Sequence, residues 1–209
     1  METGTIIVNL DKRWELNDFA TFTKEYVDLY SFYYTLASVE LNSESKMTFA
    51  SYPWEGGYSV VNFFRKTYRL IRSDRRLRII KIQYSSPGVI ELSGVLSIAQ
   101  DISILVGAIC ASAYAINRTY DTIKTSYIKR KLARLKLKEM ESKLTRDDIT
   151  FINQSVKQLS ENFRLNSGQV KSLSTVTKGN ELIQLKMLLA LYRRAELVAK
   201  QQIAGKTKI

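Results

Sequence analysis

Residues 89–144 constrain this chain more than any other stretch. They begin VIELSGVLSIAQDISILVGAICASAYAI, the most apolar passage present, and continue without Pro into NRTYDTIKTSYIKRKLARLKLKEMESKL. Read as one helix they form a rod roughly 80 Å long at about 1.5 Å per residue, far beyond an ordinary globular helix. The first half avoids water and the second half is strongly cationic. Other helices, lipid, or a second copy of the chain must cover the apolar half, and that choice decides the function.

The net charge of +12 is unevenly spread. Residues 1–55 carry four basic and nine acidic side chains, whereas 65–81 (RKTYRLIRSDRRLRIIK) carry eight basic residues against Asp74 alone. Residues 82–117 hold only Glu91 and Asp101, and 118–146 hold ten basic and three acidic residues. Two cationic blocks therefore bracket the apolar run. Such blocks attract phosphate backbones or acidic lipid headgroups. Twelve Tyr, eight Phe and two Trp supply ample material for a folded core.

Along the chain, 5–10 (TIIVNL) reads as a short strand. Phe19, Phe22, Tyr26, Leu29, Tyr33 and Leu36 recur at helical spacing, with Asn17 or Asp18 placed to cap. Residues 58–71 fit a helix and 77–84 (LRIIKIQY) a strand that stops at the turn SSPG. A short strand is expected around 47–50. Beyond the long helix, Ile149, Ile152, Val156, Leu159 and Phe163 mark a second helix, and Leu182, Leu185, Leu189, Tyr192 and Ala199 a third. The segment between them, LNSGQVKSLSTVTKGN, reads as a connector, and GKTKI at 205–209 as a fraying end. The expected fold is α+β and mainly helical. A small β-α-α-β head (1–88) precedes the long helix (89–144) and a C-terminal helical hairpin (145–209).

GGYSVVNFF (56–64) followed by IKIQYSSPGVIEL (80–92) resembles a pattern in uncharacterised bacterial proteins, GYSxVNF and then IQYxSPGxIEL leading into an apolar helix. The resemblance covers residues 56–92. It implies a small α+β head joined to a helix, and no activity.

Many chemistries are excluded. The chain has no His, which removes imidazole acid–base catalysis, His-dependent nucleophile systems and His-containing metal sites. Its lone Cys110 makes neither an internal disulfide nor a thiolate zinc site. No phosphate-cradling glycine loop is present. No cofactor and no metal are expected. An enzyme would need a carboxylate cluster assembled by the fold, from Asp11, Asp18 or Glu55. The lone thiol points to a reducing compartment, and the opening METGTIIVNLDKRW lacks the pattern of a secretory leader; a cytoplasmic location is expected, at the inner face of a membrane.

The run 102–116 is uncharged but short of the roughly 20 residues a span needs. Extending it backwards places Asp101 inside, at a cost of about 2.5–3.5 kcal/mol. Spanning is therefore marginal. Self-association is the competing reading, since Gly107, Ala111 and Ala115 recur every four residues and allow close helix approach. Ser93, Ser97, Gln100 and Asp101 would share a polar face that could line a pore on assembly, beside the apolar Ile102 and Leu105. Arg75, Arg76 and Arg78 before the run, and Lys129, Arg130, Lys131 and Arg134 after it, are the candidate anion-binding residues. The expected protein is a non-enzymatic homo-oligomer that docks on or inserts into an anionic membrane. The alternative is a nucleic-acid-binding module using the same basic faces.

Overall fold

The alternating first stretch folds as β1 (Thr3–Leu10), with Ile6, Val8 and Leu10 buried and Ile7 and Asn9 turned to solvent. The computed structural model describes residues 1–38, 57–85, 87–132, 135 and 143–209. β1 pairs antiparallel with β3 (Gly88–Val95) along its whole length, from Thr3 opposite Val95 to Leu10 opposite Gly88. β2 (Arg78–Gln83) lies on the far side of β3, and β4 (Thr207–Lys208) on the far side of β1. The sheet order is β2-β3-β1-β4. The expected strand around 47–50 lies outside the described residues.

Seven α-helices cover the described residues, so the chain is α+β and mainly helical. They are α1 (Leu16–Ser38), α2 (Gly57–Leu70), α3 (Leu96–Ala111), α4 (Ala113–Lys129), α5 (Arg146–Asn162), α6 (Ser167–Val176) and α7 (Glu181–Ile203). A 3-10 turn, Ser73–Arg75, links α2 to β2. Local chemistry explains several starts. Thr145 and Asp148 form a reciprocal capping box on α5, Asn166 and Gln169 another on α6, and the Asn180 side chain accepts from the Ile183 N–H on α7. Fifteen of the 23 residues of α7 are buried, because it packs against α1, α3 and α5 together.

The rod expected over 89–144 is not one helix. Its first residues are β3, and α3 and α4 meet at 95° across Ser112. Two physical causes are visible. Residues 88–95 pair with β1 on one side and β2 on the other, and only Gly fits at 94, where a Cβ would come 2.8 Å from Leu77 Cδ2 and 2.9 Å from Ile6 Cδ1. The turn at Ser112 lets each half bury its own stripe. Ile98, Ile102, Leu105, Val106 and Ile109 face inward from α3, and Ile116, Tyr120 and Ile123 from α4. Tyr30 pins the strand-to-helix corner, accepting from the Val95 N–H (2.8 Å) and donating to the Arg75 carbonyl (2.7 Å).

Two further expectations change. The connector after α5 contains α6, which buries Leu173 and Val176. The end expected to fray is tied down: Gly205 turns the chain at φ +66°, and β4 then pairs with β1. Trp14 Nε1 donates to the Lys206 carbonyl at 3.1 Å, and the Lys206 ammonium pairs with Asp18.

Lys186 on α7 is buried, its Nζ donating to the Leu135 carbonyl at 3.0 Å. Burial pulls its ammonium down to about 8. Below that pH both folded and unfolded chains hold the proton, and the fold carries the full cost of the buried charge. From pH 8 towards the ordinary 10.5 the unfolded chain binds more protons, so stability rises with pH. Burial pushes Tyr26 and Tyr33 upward, which reverses the slope above their ordinary value of 10. The urea midpoint should therefore rise between about pH 7.5 and 9.5, and Lys186→Met should flatten that rise.

Candidate functional site

The helix expected to mediate assembly or membrane contact is largely occupied by the protein itself. Ile102 and Leu105 are wholly buried. Asp101 is half-buried, beside Gln169 of α6 and close enough to Tyr33 of α1 to act on its hydroxyl. Burial pushes the Asp101 carboxyl up, against the hydrogen bond from Gln169. Gly107 faces open space, since a Cβ built there meets nothing within 4 Å. Ala111 and Ala115 are exposed but belong to two helices bent by 95°, so the small-residue stripe is not one continuous face. No single helix among the described residues is long and apolar enough to cross a membrane. The bent α3–α4 pair passes only by combined length and composition.

The first cationic block is presented differently. α2 buries Phe63, Phe64 and Thr67 and exposes Arg65 and Arg69, neither of which has a hydrogen bond or ion pair among the described residues. Arg72 pairs with Asp74 at 3.2 Å. Arg76 folds back to donate to the Ile71 carbonyl (3.1 Å), with its guanidinium 5.4 Å from the centre of the Tyr68 ring. Arg75 is half-buried, and its carbonyl receives the Tyr30 hydroxyl. Arg78 is exposed and, among the described residues, hydrogen-bonds the Ser73 carbonyl alone, at 2.9 Å. Of the three expected anion-binding arginines here, Arg76 holds the turn through its side chain, Arg75 holds it through its backbone carbonyl with its guanidinium 4.0 Å from Asp74, and Arg78 reaches into solvent.

β2 completes this surface. All six of its residues are exposed, although RIIKIQ is rich in apolar side chains. Ile79 is 62 %, Ile80 55 % and Ile82 48 % exposed, and Tyr84 just beyond is 68 % exposed. The strand projects past the helices that cover β1 and β3. Sequence reasoning placed the strand but missed this exposure. The one available signal was Arg78 and Lys81 interleaved with the isoleucines, a pattern that suits an edge better than a core.

The second block is more self-engaged. Lys129 and Lys131 are exposed where α4 ends, with Lys131 at φ +57°. Arg130 pairs with Asp148 at 2.8 Å and lies 5.0 Å from the Phe151 ring centre. Hydrogen bonds from Thr145, and then from Arg130, hold the Asp148 carboxyl below the usual range. Arg134 lies outside the described residues. Among the described residues α2 lies on α1, and α4 lies on α3 and α5.

Two clusters on α7 were not anticipated. Arg194 is buried between Glu25 (3.7 Å) and Asp28 (3.3 Å) of α1, with its guanidinium 4.2 Å from the Phe64 ring centre. On the side towards α4, Tyr192 stacks on Tyr120 at 4.0 Å and on Phe163 at 5.9 Å, and its hydroxyl donates to Asn117 Oδ1. A cleft beside that stack is lined by Asp121, Lys124, Arg193 and Glu196. Burial pushes the Cys110 thiol up, which disfavours the thiolate a nucleophile needs. Among the described residues no group of three or more Cys, Asp or Glu is placed to hold a metal ion. No family model, no curated protein and no solved structure matches this chain.

Proposed function

We propose that the protein is a non-enzymatic docking module that binds an anionic membrane surface peripherally, through the stretch from α2 to β2. The observation that carries this is the company its cations keep. Arg65, Arg69 and Arg78 have no carboxylate partner among the described residues, and the same stretch exposes Ile79, Ile80, Ile82 and Tyr84. Acidic headgroups attract the arginines, at about 1 kcal/mol for each cation near the surface. Isoleucine and tyrosine side chains gain in turn at the headgroup–acyl boundary. A nucleic-acid backbone offers the arginines as much but the isoleucines nothing. Docking of this kind leaves α3 in the core and requires no spanning helix.

The test is co-sedimentation with vesicles of phosphatidylcholine, with and without about one-third phosphatidylserine. Binding is expected only to the acidic vesicles, and it should weaken steeply with salt. Arg65→Glu with Arg69→Glu should cost about 2–4 kcal/mol, a loss of roughly 30-fold or more. Arg118→Glu with Lys131→Glu, an equal change in net charge at the other block, should cost far less. Equal losses from both pairs, or binding to duplex DNA with no vesicle binding, would overturn the reading.

A further inference from the structure

We propose that the exposed edge of β2 pairs with β2 of a second copy, and that an anionic surface triggers the pairing by neutralising the cations that guard the edge. This rests in part on the docking reading above. The starting observation is that β2 ends the sheet. Its inner side pairs with β3, and among the described residues no strand pairs with its outer side. Such an edge is a row of unpaired N–H and C=O groups, a template for another strand.

The register shows what a second copy would meet. β2 pairs with β3 at Arg78–Ser93, Ile79–Leu92, Lys81–Glu91, Ile82–Ile90 and Gln83–Val89, and Ile80 is the extra residue of a bulge. The partners of Leu92 and Ile90 on β1 are Ile6 and Val8, both buried, so Ile79 and Ile82 point to the core side of the sheet. Arg78, Lys81 and Gln83 point to the other side, in line with Thr5, Ile7 and Asn9. A two-fold axis perpendicular to the sheet preserves these faces. Centred on Lys81, and with the bulge residue Ile80 passed over on both strands, it sets Ile79 opposite Ile82 of the second copy, and Arg78 opposite Gln83. Both isoleucine pairs are then covered, and the two sheets become one of eight strands.

One contact in that arrangement is unfavourable: Lys81, although 3.9 Å from Glu91 of its own β3, falls opposite Lys81. Like charges directly opposed across a strand pair are destabilising, and the surrounding block of eight cations and one acid adds repulsion. The bulge at Ile80 is a second guard, of the kind that keeps natural edges apart. In dilute solution the edge is held open by these two devices. Acidic headgroups remove the first and confine copies to a plane, which raises their effective concentration. The signs of the salt effects therefore oppose each other. Rising salt weakens docking to the vesicle and strengthens pairing between free molecules.

The experiment uses the full chain with Cys110→Ser, Ile79→Cys and Ile82→Cys and a short thiol-specific cross-linker. All three positions tolerate change with little cost to stability, because Ile79 and Ile82 are about half exposed and Cys110 lies at the margin of the core; the two isoleucines also serve docking, so on vesicles the dimer is scored in the bound fraction alone. Cross-linked dimer is expected on phosphatidylserine vesicles and at high salt without vesicles, and little at low salt. Lys81→Thr, assayed by sedimentation equilibrium without vesicles, should tighten self-association about two- to fivefold and reduce its salt dependence. Pairing is overturned if the bound, cysteine-bearing protein gives no dimer and Lys81→Thr stays as monomeric as the parent at every salt concentration. Failure to bind vesicles while Lys81→Thr still dimerises would instead remove the docking reading and leave the pairing in place.

Discussion

Replacing Arg194 by Ala is expected to lower the unfolding free energy by about 3–5 kcal/mol, the largest effect of any single polar substitution in the described core. The guanidinium sits between Glu25 and Asp28, at side-chain exposures of 10 %, 9 % and 16 % respectively. Its Nε lies within ion-pair range of both carboxylates without meeting hydrogen-bond geometry to either. Burial pushes the Asp28 carboxyl up while Arg194 and then Lys24 pull it down, so the charged form depends on its neighbours. Removing Arg194 leaves two buried carboxylates with Lys24 as the remaining cation. It also removes the cation over Phe64, and with it the link from α7 to α2. Arg194→Met keeps most of the volume but strands the same charges, so it should recover only part of the loss. Arg194→Met with Glu25→Gln and Asp28→Asn should recover most of it, because the whole ion cluster is then gone. Urea unfolding of the four proteins checks the series. A single Ala substitution costing under about 1 kcal/mol would show that the cluster is solvated.

Ile102→Ala is expected to cost about 2–5 kcal/mol, while Ala111→Leu and Ala115→Leu each change stability by less than about 0.5 kcal/mol. Ile102 is wholly buried within the packing of α3 against α7 and α1, and the cavity left by three carbon atoms has no route to solvent. Both alanines are exposed, and Leu there has room to extend. The contrast separates a core helix from an assembly helix. If residues 107–115 formed a close-packed interface between copies, the two Leu substitutions would shift the sedimentation behaviour as well as stability. Thermal or urea unfolding together with sedimentation velocity reads both quantities in one set of proteins.

The helical face of α1 was plain from sequence, because Phe22, Tyr26, Leu29, Tyr33 and Leu36 repeat at helical spacing and all five are buried. β1 was equally plain from its alternation. Residues 89–95 were not, since a short apolar run satisfies strand and helix periodicities alike. What decides there is pairing with β1 and β2 on either side, tertiary contacts that no local pattern encodes. The bend at Ser112 was hidden for the same reason: no proline marks it, and each half buries its own stripe against helices distant in sequence. The start of α6 was readable, because Asn166 and Gln169 have capping-box spacing. The buried charge of Arg194 was not readable, since YRRAEL on an amphipathic helix looks like an ordinary solvated face. Of the expected anion-binding residues, Arg78, Lys129 and Lys131 reach solvent, whereas the side chains of Arg75, Arg76 and Arg130 lie against Asp74, the Ile71 carbonyl and Asp148.

The position of β1 in the middle of the sheet bears on how the chain folds in time. β2 and β3 form a local hairpin that can close within microseconds. β1 must wait for β3 from the middle of the sequence and then for β4, whose Thr207 hydroxyl reaches the Asn9 carbonyl across 198 positions of chain. Contacts of that separation raise the contact order and slow folding. During synthesis the first strand leaves the ribosome long before either neighbour exists, and Ile6, Val8 and Leu10 stay uncovered for that interval. A chaperone that shields short apolar strands should therefore affect the yield of this protein more than its final stability.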